Sequence, residues 1–355
     1  MQPSFAAAES ILQEAIRDQA FPGCAYGVLR SGYEPVLGAA GRFTYDSVSP
    51  EVTPETLFDI ASVTKVVATT AAAMLLYQRD LLDLDLPLGE LLPGFVVGRD
   101  PSEHARRVTI RHLLAHSTGL PGYVPLFHTA SGPADVLRGC LTLPLEAEPG
   151  TRATYSDPGF ILLGKALEAL THEDLATFAH REIFKHLGME STGYCPPPSV
   201  RSLIPPTEED ELFRQRRIQG EVQDEHAYLM RGVAGHAGLF STVKDLLRFA
   251  RTILKPSDFS LFAPETVELF GQRQPPTGSS RALGWDTPSQ DSSSGQYFSA
   301  TSIGHLGYSG CSLWIDREAQ LAIVLLTNRT WPNRESQVIR RVRPALHDAF
   351  REACK

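Results

Sequence analysis

Between Val63 and Gln78 the chain runs VTKVVATTAAAMLLYQ, small or apolar almost all the way round a helical projection. A helix on the surface of a globular protein keeps a polar stripe for water, and this one has none. It is therefore predicted to be buried on most sides, so other layers must enclose it. The 355 residues are enough for one large domain or two packed ones with a sizeable core. At the head of the apolar run stand Ser62 and Lys65, and a lysine entering such a helix is costly unless something pairs with it.

The layers are legible on either side. CAYGVLR (Cys24 to Arg30) and PVLGAAG (Pro35 to Gly41), separated by Ser31-Gly32, read as a hairpin, and TLFDIAS as a third extended segment. From Gly304 the sequence returns to strands, GHLGYSG, CSLWIDRE and QLAIVLLTNR, with a hairpin turn at Asp316-Arg317-Glu318 and a closing helix near Gln337 to Ala353. The middle carries short helices broken by Pro and Gly, and two longer ones, PGFILLGKALEAL and EDLATFAHREIFKHLG. Thr171 and Asp174 resemble a capping box for the second, and Gly188 is placed to end it. The polar, Pro-rich stretch 195–223 reads as a long surface loop. The predicted class is α/β (α+β): a discontinuous sheet domain from 1–80 and 229–355, and a mainly helical subdomain over 81–228.

Composition narrows the partners. A net charge of −8 and a pI of about 5.8 supply no basic field for nucleic acid or an anionic membrane surface. No segment has the length and apolarity of a membrane span. The five cysteines are scattered with no CxxC pair, which suggests reduced thiols rather than a disulfide framework or zinc cluster. The first residues read as an amphipathic helix rather than a signal peptide, so a cytoplasmic location is the expectation. A small-molecule substrate suits this balance better than a polymer.

Several stretches could carry chemistry. Serine needs a neighbouring base to act as a nucleophile, and a helix places residues i and i+3 on one face, so Ser62 and Lys65 could form such a pair. Alternatively Ser62 is an N-cap, as serines commonly are. Ser241-Thr242-Val243-Lys244 has the same spacing but reads as a capping box, Thr242 with Asp245, ahead of an amphipathic helix with Lys244 facing solvent. Tyr155-Ser156-Asp157-Pro158 follows a turn-rich loop and precedes a helix, which could hold a free phenol at a cleft or simply start the helix. In Gly304-His305-Leu306-Gly307 the glycines would admit close backbone approach to a ligand, or mark a bulge. His112 and His116 have a metal-capable spacing but no third ligand at usable spacing, and are read as structural. Gly159 to Ala166 lacks the final Ser/Thr of a phosphate loop, no GxSxG elbow is present, and His236 could be polar core or cleft rim.

Taken in order, Ser62-x-x-Lys65, Tyr155-x-Asp157 and His305-Leu306-Gly307 resemble the three motifs of the serine β-lactamase and penicillin-binding protein superfamily, especially its class C β-lactamase-like esterases and D-aminopeptidase-like hydrolases. The phrases TLFDIASVTK, VTIRHLLAHSTGLPGY, EPGTRATYSDPGFILLG and GVAGHAGLFSTVKDLLRFA are similar too, from about Phe21 to Asn328. The resemblance implies an antiparallel sheet flanked by helices, with the active site in the cleft against a helical domain. It implies Ser62 as acyl-forming nucleophile, Lys65 as its activating partner, and Tyr155 as proton carrier. The oxyanion hole would be the backbone N–H groups of Ser62 and Tyr308, with Asp157, His305 and Gly307 at the substrate; no metal or other cofactor is implied. Two positions depart from the pattern. Asp157 stands where the family has an Asn that can donate a hydrogen bond, and His305-Leu306 replaces Lys-Thr. Both changes remove groups that would hold a β-lactam or a D-Ala-D-Ala peptide while leaving the acylation residues in place. The expectation is a serine hydrolase acting on a small carboxyl ester or amide. A β-lactamase or D-Ala-D-Ala peptidase, or a penicillin-recognising sensor without turnover, are the alternatives.

Overall fold

The computed structural model describes residues 4–99, 104–256 and 261–355. Strands β1 (Gly23–Arg30) and β2 (Val36–Gly41) form the expected hairpin. They join β8 (Ile303–Leu306), β9 (Ser312–Asp316) and β10 (Leu321–Thr327) in one antiparallel five-stranded sheet of order β2-β1-β10-β9-β8. The central strand β10, LAIVLLT, is buried along its whole length because both faces of the sheet are covered. Alternation along the strand divides its side chains: Ile323 and Leu325 pack with Leu12, Leu346 and Phe350 of the terminal helices Ala6–Arg17 and Ile339–Ala353. Ala322, Val324 and Leu326 face the other way, with Leu246 and Phe249 of the Val243–Leu254 helix, into the main core.

That main core is built round the apolar run, although not as one regular helix. Ala61–Val63 forms a 3₁₀ turn, Lys65–Thr70 a wide π-helical stretch, and Ala71–Gln78 a regular α-helix. Every side chain from Val63 to Leu76 is buried. Thr69, in the wide stretch, donates its hydroxyl outward to the Gly235 carbonyl at 2.7 Å, stitching the run to a distant segment.

Three local expectations are corrected. The cap of the second middle helix is Asp174, whose carboxylate accepts from the Thr177 N–H; Thr171 instead donates back to the Leu167 carbonyl. At the start of Val243–Leu254 the Thr242 cap holds and Lys244 is exposed. The Asp245 carboxylate there is no reciprocal cap; it accepts from Ser191 N–H and the Thr192 hydroxyl. The stretch 195–223 is structured, with a 3₁₀ turn Pro198–Leu203 and the hairpin of β5 (Glu208–Asp210) and β6 (Arg216–Ile218). Its order comes from partners far away in sequence: Glu208 holds Arg334, and the Asn328 amide donates to the Pro206 carbonyl.

The Asp157–Thr171 helix lies against the apolar run and against the 234–238 turn. Two glycines permit the second contact. A Cβ on Gly235 would stand 2.2 Å from the Phe160 carbonyl oxygen, and one on Gly164 would stand 3.0 Å from the Gly235 Cα. Gly235→Ala is therefore expected to lower stability by about 1–3 kcal/mol in denaturant unfolding, whereas Gly193→Ala, where an added methyl meets nothing within 4 Å, should change it by less than about 0.5 kcal/mol.

Candidate active site

Ser62 lies inside the 3₁₀ turn Ala61–Val63, and the cap position is Ile60, so the helix-cap reading of this serine does not hold. The turn is entered under tension: Ala61 has φ +47°, a conformation that L residues other than Asn and Asp rarely adopt. Asp59, the last residue of β3 (Phe58–Asp59), holds it there. Its buried carboxylate accepts from the Ala61 N–H and, through its other oxygen, from the Gln223 N–H, each at 2.8 Å. Strand β3 pairs with β7 (Leu239–Ser241) in a second sheet, which sets the height of Ser62 against the 235–239 segment.

Lys65 is the most constrained side chain of the site. Its ammonium is fully buried and donates to Ser62 Oγ (3.0 Å), Asp157 Oδ1 (2.7 Å) and the His236 carbonyl (3.0 Å), which uses all three protons. It also sits 4.8 Å from the centre of the Tyr155 ring and 5.6 Å from that of Phe160. Burial alone would lower the pKa of this lysine, but the Asp157 carboxylate and the Tyr155 phenol outweigh it and the net direction is upward. Lys65 is thus an ammonium at neutral pH.

Tyr155 is half-buried, in a segment clamped from several sides. The Thr154 N–H donates to the His116 carbonyl (2.9 Å) and the Ser156 N–H to His116 Nδ1 (3.0 Å). The Asp157 N–H reaches the Gly122 carbonyl (3.0 Å), and the Ser156 hydroxyl caps the following helix while donating to the Pro121 carbonyl. The ring packs on His116 at 4.6 Å between centroids, faces His305 at 5.8 Å, and lies 5.1 Å from the Arg281 guanidinium. Burial raises the phenol pKa, and the Lys65 charge lowers it only in part. The resting pair is therefore ammonium and phenol.

The third motif closes the site from β8. Gly307 passes so near the Ser62 turn that a Cβ would stand 2.5 Å from the Ile60 carbonyl oxygen, so only glycine fits. Ser309 then donates to the Asp59 carbonyl at 2.8 Å and pins the two segments together. Neither the Ser62 nor the Tyr308 main-chain N–H is engaged by another group among the described residues. His305 is buried, its Nδ1 lies 2.8 Å from the Leu306 carbonyl, and Nε2 has no partner among the described residues. Burial, helped by the charges of Lys65 and Arg281, pushes the His305 pKa well down, so this imidazole is neutral.

Two cavities meet at Ser62, Tyr155 and Tyr308. One, of about 390 Å³, is lined by His305 and Gly307 with Arg281, Arg340 and Arg343; the other, of about 410 Å³, by Tyr123, Asp157, Asp224, Glu225 and Arg334. The expected site residues are thus brought to one place. His112 and His116 do not form a metal pair, since His112 Nδ1 serves the Thr109 cap and His116 holds the Tyr155 segment. Asp59 lies within the phrase TLFDIASVTK but drew no role there, and Gln223, Asp224, Arg281 and Arg334 sit in no motif; only folding brings these four to the site.

Comparison with known proteins now places the chain. The Beta-lactamase family matches residues 8–346. N-acetylmuramyl-L-alanine amidase of Bacillus subtilis is 32% identical over 308 residues, covering 77% of this chain and 68% of the relative. Among solved structures, EstCE1, a hydrolase with promiscuous acyltransferase activity, superposes with a TM-score of 0.74 at 22% identity over 97% of each chain. The octameric penicillin-binding protein homologue from Pyrococcus abyssi gives 0.70 at 21% identity over 93% of this chain and 78% of its own. The chain belongs to the Beta-lactamase family and is a serine hydrolase. No helix among the described residues is long and apolar enough to cross a membrane.

Removing the Asp157 charge leaves the buried Lys65 ammonium without its counter-ion. Asp157→Asn is expected to cost about 3–5 kcal/mol in unfolding free energy at neutral pH. Because the folded-state pKa of Lys65 is raised, the wild-type advantage is fully present below the usual lysine value of 10.5 and lost as pH rises through the higher folded value. Parallel denaturant titrations of both proteins across alkaline pH check magnitude and sign together.

Proposed function

We propose that Ser62 is the nucleophile of an acyl-transfer hydrolase whose preferred substrate is a small carboxyl ester. The observation that carries this reading is Lys65 Nζ at 3.0 Å from Ser62 Oγ, with its other two protons tied to Asp157 and the His236 carbonyl. A lysine so fixed orients the serine oxygen and steadies negative charge on it.

In the proposed cycle the Lys65–Tyr155 pair loses one proton to become reactive, and the Tyr155 oxygen accepts the Ser62 hydroxyl proton as Oγ attacks the carbonyl. The oxyanion is received by the free N–H groups of Ser62 and Tyr308. On collapse the C–O bond breaks and Tyr155 returns the proton to the alcohol, leaving Ser62 acylated. Water then repeats the sequence, its proton going to Tyr155 and its oxygen to the acyl carbon, and Ser62 is released.

Ester preference follows from what the site cannot offer an amide. Asp157 is an acceptor engaged by Lys65, where an Asn could donate to an acylamino carbonyl, and His305 is a buried neutral ring where a lysine could hold a carboxylate. One observation favours a second reading, an amide substrate with a free carboxylate: Arg281 and the exposed Arg340 line the His305 side of the cleft, and the amidase relative gives it chemical precedent.

A panel of p-nitrophenyl esters, nitrocefin and a D-alanyl-D-alanine peptide decides between the two. Ester turnover should dominate, with an acyl adduct on Ser62 visible by intact mass, and Ser62→Ala should abolish both. Tyr155→Phe should lower kcat/KM by about 10²–10⁴-fold. Since both Lys65 and Tyr155 titrate above their ordinary values, kcat/KM should climb from neutral pH into the alkaline range. Undiminished turnover in Ser62→Ala overturns the assignment.

A further inference from the structure

Behind the acidic wall of the cleft stand Asp224, His226 and His236, each with a ligand-capable atom within 4.8 Å of the other two. Both imidazoles are almost wholly buried, at 2% and 1% exposure. The hydrogen bonds of this group do not account for its polar atoms. His236 Nε2 lies 2.7 Å from Asp224 Oδ1, and that same oxygen accepts the Ala227 N–H to cap the Glu225–Leu229 helix. His236 Nδ1 and both ring nitrogens of His226 make no hydrogen bond of ordinary distance and angle among the described residues; the Val124 main chain stands close enough to act on the His226 ring but completes none. An imidazole buried with neither nitrogen satisfied is a costly arrangement, and packing against Tyr123 and Phe127, at 5.6 and 5.9 Å between ring centres, does not satisfy either.

We propose that Asp224, His226 and His236 bind a divalent transition-metal ion, with zinc the best match, as a site separate from Ser62. Two imidazoles and one carboxylate are a borderline donor set that suits zinc, and three protein ligands leave a fourth position open. Asp224 keeps 22% of its side chain exposed and lines the larger cavity, which gives an ion its way in. Bond lengths of about 2.0–2.2 Å set the ligand atoms about 3.3 Å apart in a tetrahedron. Loading therefore draws the His226 ring inward and releases the proton between His236 and Asp224 to solvent through the cavity that Asp224 lines. The ion would tie the start of the Glu225–Leu229 helix to His236, whose carbonyl holds Lys65. This is a clamp on the wall of the cleft, and it takes no part in the acyl-transfer steps.

The test is direct metal binding by the full chain after treatment with a chelator, and it is independent of activity. Zinc titrated against a chromophoric competitor should bind at one equivalent per chain, and His226→Ala should weaken that binding by more than about 100-fold. Should His226→Ala not fold, long-range ¹H–¹⁵N spectra of the wild-type protein decide: zinc should move the ring-nitrogen signals of two of the 11 histidines. Absence of stoichiometric binding overturns the proposal, as does equal affinity in a folded His226→Ala. Histidine signals left unmoved, as zinc captured by the exposed Cys195 would leave them, overturn it as well.

Discussion

The Lys65 ammonium is the point on which the separate parts of this molecule converge. It is fully buried and joins three stretches of chain: its own helix through Ser62, the Asp157–Thr171 helix through Asp157, and the segment before β7 through the His236 carbonyl. A lone charge in such surroundings would shed its proton, and full pairing is what keeps it. The pairing also fixes positions, because three hydrogen bonds from one nitrogen admit little freedom. A change in any of the three stretches therefore reaches Ser62 as a change in geometry, with no need to touch it.

The same centre explains why the residue at 157 matters to the chemistry. An amide there could bind Lys65 through its oxygen and still offer a donor to a substrate, whereas the carboxylate gives Lys65 a full counter-charge and offers no donor. The result is an ammonium at rest beside a phenol whose own pKa is raised, so the resting site holds one proton more than the form the proposed cycle requires. His116 and His305 flank the Tyr155 ring as neutral groups, and burial pushes both well below their ordinary pKa. They shape the pocket without adding charge to it, which leaves the Tyr155 proton to be governed by burial, Lys65 and Asp157.

What could be read from the sequence follows the range of the interactions concerned. The hairpin of β1 and β2, the closing strands, the buried run after Ser62 and the tetrad itself were legible, because alternation, apolar periodicity and an i,i+3 spacing are local patterns. Tyr155 and Gly307 were legible through motif order. The 3₁₀ and π turns around Ser62 and Lys65 were not, since they answer to partners at Asp157 and His236 that lie far along the chain. The stretch 195–223 misled for the same reason: its prolines and charges look like a solvated loop until Glu208 meets Arg334 and Pro206 meets Asn328. Asp224 and His226 carried no signal at all, because their proximity to His236 exists only in the folded chain.

Asp59 shows how the fold holds the strained turn at Ser62 in place. Its two carboxylate oxygens each accept a main-chain N–H, one from Ala61 and one from Gln223, and its own carbonyl accepts the Ser309 hydroxyl. An asparagine could satisfy only one of the two N–H groups, since its amide would turn a donor toward the other. Burial raises the Asp59 pKa to about 6, against the lowering effect of those two N–H groups. The carboxyl is thus ionised at neutral pH at a cost to stability, and that cost sits beside the unfavourable φ of Ala61. Both are borne by the enclosing sheet and core, and together they deliver Ser62 with its N–H unpaired among the described residues and its hydroxyl facing Lys65. The segments doing this, β3, the 223 loop and the end of β8, come from three distant parts of the chain. The site is therefore a product of the tertiary fold, and the Ser-x-x-Lys spacing alone does not make one.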